Sequence, residues 1–156
     1  MERENSISFR FAIVFGVSSR MRNDLITNDF TYIAIHDRSL VIFAGHSKRT
    51  FIHIDNAIRA YIFALDSTNS MDNNITNVGD EPLKYSKNDI VKTIKKYVAF
   101  EIIDSSLSDL DVNNFLISFK KIKQLGYKTQ RSIDDSIKDL IKLYKFYNFF
   151  SHYKVI

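Results

Sequence analysis

Between Lys48 and Leu65 the hydrophobic period changes from that of a strand to that of a helix with no loop in between. Thr50-Phe-Ile-His-Ile54 is a short run of β-branched and aromatic residues, the composition of a strand. Apolar residues then recur at Ile54, Ala57, Ile58, Tyr61, Ile62 and Leu65, the stripe of an amphipathic helix. A strand that feeds a helix directly is the unit of an α/β fold, and it limits what the rest of the chain can be. Arg49 and His53 stand at this junction although neither residue type is a usual strand former or helix starter, which raises the question of whether the junction is a binding site or a surface turn.

The remaining segments keep the alternation. "SFRFAIVFG" (8–16) reads as a buried strand closed by Gly16, and "VSSRMR" as the loop after it. Residues 24–36 are expected to be helical. "SLVIFAG" (39–45) and "TFIHI" (50–54) read as two strands joined across "HSK" in a hairpin. "STNSMDNN" (67–74) is a polar loop, "ITNVG" (75–79) a strand, and Ser86 with Asp89 three residues on forms the capping box of a further helix. "AFEIID" (99–104) and "FLISF" (115–119) read as strands, with the loop "SSLSDLDVNN" between them. "KKIKQLGY" is a short helix stopped by Gly126, and a last helix opens near Arg131 or Ser132, with Asp134 and Asp135 at its positive end. The fold class is therefore α/β, with short strands alternating with helices over one domain, 1–156, and no internal repeat.

Composition narrows the chemistry. A hydrophobic fraction of 45% with 13% aromatics excludes disorder. Cysteine is absent, which removes disulfides, thiolate metal sites and thiol nucleophiles and fits a reducing compartment; the cytoplasm is the expected location. No run approaches the roughly 18 apolar residues of a membrane span, so no membrane partner is expected. Net charge is +4, and residues 117–156 hold nine Lys/Arg against three Asp/Glu. Those lysines alternate with an apolar stripe, the pattern of a solvated helix face rather than of a nucleic-acid surface. His36, His46, His53 and His152 lack metal-ligand spacing, and Gly16, Gly45, Gly79 and Gly126 are too dispersed for a phosphate-cradling loop. No tyrosine is followed four residues later by lysine. No catalytic residue and no metal ligand is expected from this chain.

Taken in order, "FRFAIVFGVSSRMRNDLITNDF", "RTFIHIDNAIRAYIFAL", "TNVGDEPLKYSKNDIVKTI" and "FLISFKKIKQLGYKTQRSIDDSIKDLI" resemble the C-terminal half of the NAD-dependent epimerase/dehydratases, the extended short-chain dehydrogenase/reductases that act on nucleotide sugars. The resemblance covers residues 8–145 and leaves 146–156 as an aromatic-rich tail. It implies the C-terminal part of a Rossmann-type extended fold without the N-terminal dinucleotide-binding half, which in that family carries the glycine-rich loop and the catalytic Tyr-x-x-x-Lys pair. NAD(P) is implied by the family and is not expected to be held by this chain alone.

The resemblance also implies a pocket for a nucleoside-diphosphate sugar. A diphosphate calls for cations, and guanidinium meets its oxygens in bidentate geometry. Arg49 matches the family arginine at the nucleotide, Arg20 and Arg22 match a polar loop on the substrate side, and Asn28 matches a polar position on the helix that follows. Departures accompany the matches. The usual acidic residue of the strand-to-helix block falls on Asn56, a second phosphate-facing arginine is replaced by Asn113, the glycine opening the last helix is Ser136, and the proline after the Leu-Gly-Tyr turn is Thr129. The implied protein is the sugar-nucleotide-binding part of an epimerase or dehydratase, partnered by a complementary cofactor-binding polypeptide or by itself. The alternatives are a non-catalytic remnant and an interaction module docking through "LYKFYNFFSHYKVI".

Overall fold

The computed structural model describes residues 6–67, 71, 74–105 and 117–147. The loop segments 68–70, 72–73 and 106–114, residues 115–116 of the strand expected over 115–119, Asn113 and the tail from 148 lie outside the described residues.

Strand β1 (Ile7–Phe11) pairs in parallel with β5 (Asn74–Val78), and the pairing continues through Ala12, whose N–H donates to the Val78 carbonyl at 2.9 Å. The chain then changes partner, and β2 (Ile13–Phe15) runs parallel to β4 (Lys48–His53). The single strand expected over 8–16 is thus one extended segment shared between two sheets. Strand β6 (Lys84–Ser86) adds to the far edge of β4 in antiparallel register, and β3 (Ser39–Ile42) pairs in parallel with β7 (Glu101–Asp104). Helices α1 (Ile26–His36), α2 (Ile54–Asp66), α3 (Lys87–Lys95), α4 (Lys120–Gln124) and α5 (Ile133–Phe146) connect and cover these strands.

The hairpin expected between β3 and β4 does not form. After β3 the chain turns at residues 44–47, with Ala44 at φ 45° and the Ser47 N–H donating to the Ala44 carbonyl. Gly45 is held against α3 by the Asn88 N–H, so β4 leaves for a different sheet and β3 finds β7. Strand β6 was not expected, because Pro82 and the cap at Ser86 leave it three residues. The expected strand at 115–119 also fails over its described part. Residues 117–119 are not extended into a ladder, and Phe119, buried, is the N-cap of α4 with its ring over Gly79.

Strand β4 is buried on both faces, which explains its near-continuous apolar run. Phe51 enters a core with Phe15, Phe30, Leu40, Ile90, Ile137 and Leu140, beneath α1, α3 and α5. Ile52 points the other way, into a second core with Ala12, Val78, Phe119, Ile122 and Tyr127, beneath α2 and α4. Helix α2 departs from expectation. Its small residues Ala57, Ala60 and Ala64 and the polar Asn56 face inward, whereas Ile58, Tyr61, Ile62 and Leu65 of the apolar stripe are exposed. Alanine on the inner side lets the helix axis approach β2 and β4 closely, and the larger residues are left outside.

Both expected helix starts near serine have complete capping boxes: Ser86 with Asp89 at α3, and Ser132 with Asp135 at α5. The tie between α2 and α5 is Asn56. Fully buried, its Oδ1 accepts from the N–H groups of Gln130 and Arg131 at 2.9 and 3.1 Å, and its Nδ2 donates to the Arg131 carbonyl at 2.9 Å. The Tyr127 hydroxyl donates to the Asn56 carbonyl at 2.6 Å. An aspartate at this position could accept both N–H groups but could not donate to Arg131. Asn56→Ala leaves three partly buried backbone groups without this partner and opens a polar gap at a fully buried position, and is expected to lower unfolding free energy by about 1–3 kcal/mol, read from urea denaturation.

Candidate functional site

The loop that follows β2 is held by one buried side chain. Asn28, near the start of α1, accepts from the Gly16 N–H through Oδ1 at 3.2 Å and donates through Nδ2 to the Arg22 carbonyl at 2.9 Å. Both polar atoms of the amide are thereby engaged by backbone at the two ends of segment 16–22. Within it the Ser18 hydroxyl donates to the Arg20 carbonyl at 2.8 Å. Arg20 is exposed, and Arg22, also exposed, forms a two-bond pair with Asp24 at 3.1 and 2.5 Å. The pair keeps the Arg22 guanidinium above and the Asp24 carboxyl below their usual ranges, chiefly through this hydrogen bonding.

Arg49 stands on β4, half-buried and opposite Tyr85 of β6, with its Nη1 donating to the Lys48 carbonyl at 3.2 Å. The parallel register places Phe15 opposite His53, so the Gly16 loop leaves from the carboxyl end of β4. Arg49 lies four residues back, roughly 13 Å along the strand at about 3.3 Å per residue. The structure therefore groups Arg20, Arg22 and Asn28 in one loop and sets Arg49 near the other end of β4. What it does gather around Arg49 is cationic. Lys48 faces Ser86 and Thr50 faces Lys84 across the antiparallel pair, so Lys48 and Lys84 lie diagonally on one face while Arg49 flanks them on the other. This juxtaposition was hidden in the sequence because β6 was hidden.

Lys87, the first residue of α3, donates to the Phe43 carbonyl at 2.8 Å and borders a groove of about 420 Å³ between α1 and β3. Phe30, Ile33, Leu40 and Phe43 supply its apolar wall, and Asp29 and Asp37 its acidic rim. The groove offers a flat aromatic surface beside a lysine, within the same turn region that leads into Lys48 and Arg49. Among the described residues no group of three or more His, Asp or Glu is placed to hold a metal ion, and no helix is long and apolar enough to cross a membrane.

His53 has a structural position. Its Nδ1 accepts from the Asp55 N–H at 3.1 Å and so caps α2, which puts the imidazole proton on Nε2. That nitrogen is buried without a hydrogen-bond partner and faces Gly16, where φ is 117° and an added Cβ would come within 2.7 Å of the ring. Asp55 lies 3.4 Å from Nδ1 and 3.6 Å from Arg131 Nε, and Arg131 in turn pairs with Asp139. Burial depresses the His53 pKa below its usual 6.5, against the opposing pull of Asp55.

No protein-family model matches the chain. Solved structures do match it. UDP-glucose 4-epimerase of Thermotoga maritima, solved with UDP-glucose, superposes with a TM-score of 0.74 at 21% identity over 88% of this chain and 45% of its own. UDP-glucuronic acid 4-epimerase of Bacillus cereus, in complex with UDP-glucuronic acid and NAD, gives 0.70 at 23% over 89% and 45%. A monomeric L-threonine 3-dehydrogenase from a metagenome gives 0.74 at 15% over 90% and 48%. The chain has the Rossmann-type fold of the extended short-chain dehydrogenase/reductases and spans about half the length of these proteins.

The His53 geometry has a pH signature. The unfolded histidine binds a proton near pH 6.5 and the folded one only at lower pH, so the stabilisation is complete above about 6.5 and is lost as pH falls below it. Asp89 and Asp135, whose carboxyls are lowered by their serine partners, lose theirs only in the more acidic carboxylate range. Urea midpoints are expected to fall between about pH 7.5 and 5.5 in the wild type and to stay level in His53→Asn, which retains a capping side chain without a titrating group. Parallel loss in both proteins would assign the effect elsewhere.

Proposed function

We propose that these 156 residues form the sugar-nucleotide-binding half of an NAD-dependent epimerase/dehydratase-like enzyme, inactive until a complementary polypeptide supplies the cofactor half. The observation that carries this reading is the superposition of nearly the whole chain on about half of two enzymes solved with UDP-sugars, one of them also with NAD. The cations along β4 and β6 support it, since Arg49 on one face of the ladder, with Lys48 and Lys84 on the other, offers the kind of charge that a diphosphate needs. Arg49 is the expected phosphate contact. Arg20 and Arg22 would meet the sugar end, with Asn28 fixing their loop rather than touching ligand. The groove beside Lys87 would receive the base.

A dinucleotide finds no cradle in the described residues. Ligands of open parallel sheets sit at the carboxyl ends of the strands. Here β5 ends in Gly79-Asp80-Glu81, two carboxylates locked by Lys123 at 2.5 Å each, and Lys123 holds Glu81 down at about 2. One lysine leaves net negative charge on the two carboxylates, which would oppose a pyrophosphate and supports the reading that this chain alone does not hold NAD. The L-threonine 3-dehydrogenase among the neighbours means that the fold alone does not select a nucleotide sugar, so this reading leans on the basic ladder for its substrate class.

Calorimetric titration checks the reading. UDP-glucose is expected to bind weakly, and Arg49→Ala to weaken it by about tenfold or more, the equivalent of one charge-assisted contact of ~1.5–3 kcal/mol. Arg20→Ala should have a smaller effect. NAD should give no heat, and no turnover of UDP-, GDP- or dTDP-sugars is expected from the isolated chain. Micromolar NAD binding would sink the half-enzyme reading.

A further inference from the structure

The outer face of α2 is an apolar stripe with nothing over it among the described residues. Ile58, Tyr61, Ile62 and Leu65 are 50, 55, 53 and 75% exposed. They recur at i, i+3, i+4 and i+7, the spacing of a helix face built for packing on another helix. On one side the stripe is continuous with the interior, since the Tyr61 ring lies 5.3 Å from each of Phe9 and Phe11. On the other it is edged by Arg59 and Asp66, both exposed. Tyr61 is thus anchored at its base, and the remaining three side chains project from a helix already fixed to β4.

We propose that a second copy of this chain covers the stripe, with the two α2 helices antiparallel about a two-fold axis passing between Tyr61 and Ile62. The pattern is self-complementary in that arrangement. Ile58 of one copy meets Leu65 of the other, and Tyr61 meets Ile62, so each residue of the stripe finds an apolar partner. The charged edges also match. The two-fold axis keeps the Arg59–Asp66 edges on the same side of the helix pair, and Arg59 falls level with residue 64 of the partner copy. Asp66 there is two residues further, about 3 Å along the axis at about 1.5 Å per residue, so two symmetry-related Arg59–Asp66 pairs close the edge. A parallel pairing would instead carry the two Arg59–Asp66 edges to opposite sides of the helix pair, where they could not meet. The contact uses none of the residues assigned to the sugar nucleotide, so it stands or falls separately from that reading.

Sedimentation of the full 156-residue chain at micromolar concentration is expected to give a dimer, and Leu65→Asp a monomer with unchanged circular dichroism. Arg59→Glu and Asp66→Lys should each weaken the dimer by about three- to tenfold, as loss of two exposed ion pairs requires, and the double variant should regain wild-type affinity. Because the chain has no cysteine, Ile62→Cys reports proximity cleanly. It should form a disulfide-linked dimer in oxidised glutathione, and the exposed Lys128→Cys should not. A monomeric wild type, an aggregate whose size Leu65→Asp leaves unchanged, or a double charge reversal that stays as weak as the single variants overturns the proposal. A monomer would leave the stripe to a different polypeptide.

Discussion

The rest of the structure depends on where α2 begins. One step in sequence separates a strand buried on both faces from a helix whose first turn carries two side chains turned to backbone. His53 caps the helix, and Asn56 seizes the segment that opens α5. Asparagine is suited to the second task because it donates and accepts at once, and the Arg131 backbone presents both a donor and an acceptor to it. Were this tie lost, α5 would keep its own capping box but not its position, and Ile137, Leu140 and Tyr144 would lose their register over Phe51 and Phe30. The acid-to-amide departure at Asn56 therefore has a positive structural account and is not simple decay of a motif. Thr129 is similar: where the family resemblance leads one to expect proline, its hydroxyl donates to Asp80 at 3.0 Å and ties the Tyr127 turn to the end of β5.

The change of partner at Ala12 has a consequence for any ligand. Because the first strand serves β5 and then β4, the Gly16 loop, the α2 cap and the β5 end all emerge from one region, each already committed to intramolecular bonds. Asn28 fastens the loop, the His53 ring fills the space beside Gly16, and Lys123 bridges Asp80 and Glu81. This end of the sheet is built to be rigid. The other end of β4 is different: it is a short antiparallel ladder with three cations and an adjoining aromatic groove.

Much of this could be read from the residues in order. Short-range chemistry was legible: both capping boxes, the stop at Gly126, the strand-to-helix junction at Ile54 and most helix limits follow from side chains within four positions of one another. Pairing was not. β3 and β4 have the letters of a hairpin, but their turn bonds to Asn88 of a helix more than forty positions away, and only that contact sends the two strands to different sheets. β6 is too short to carry a period, and Phe119 has strand-like neighbours yet is consumed by the space above Gly79. The α2 stripe misleads for another reason. Periodicity shows that a face is apolar but not that it is covered, and here alanines at 57, 60 and 64 supply the inner face instead. The candidate arginines were legible as residue types through the family resemblance, while the grouping of Lys48 and Lys84 beside Arg49 needed the β4–β6 register.

Fold likeness sets a limit that side chains then have to pass. Enzymes that differ as widely in substrate as a UDP-sugar epimerase and an L-threonine dehydrogenase superpose on this chain about equally well. Their shared backbone thus carries no information about what is bound, and charge placement does. Two carboxylates just beyond the end of β5 share one lysine, whereas Lys48, Arg49 and Lys84 lie along β4 and β6. Lys48 and Lys84 share one face of the β4–β6 ladder and Arg49 stands on the other, with the Asp89 carboxylate, lowered chiefly by its hydrogen bonds to Ser86, close enough to Lys48 to be lowered further by it. The half-enzyme reading rests first on the superposition over about half of the neighbouring enzymes, and the basic residues of β4 and β6 add support to it.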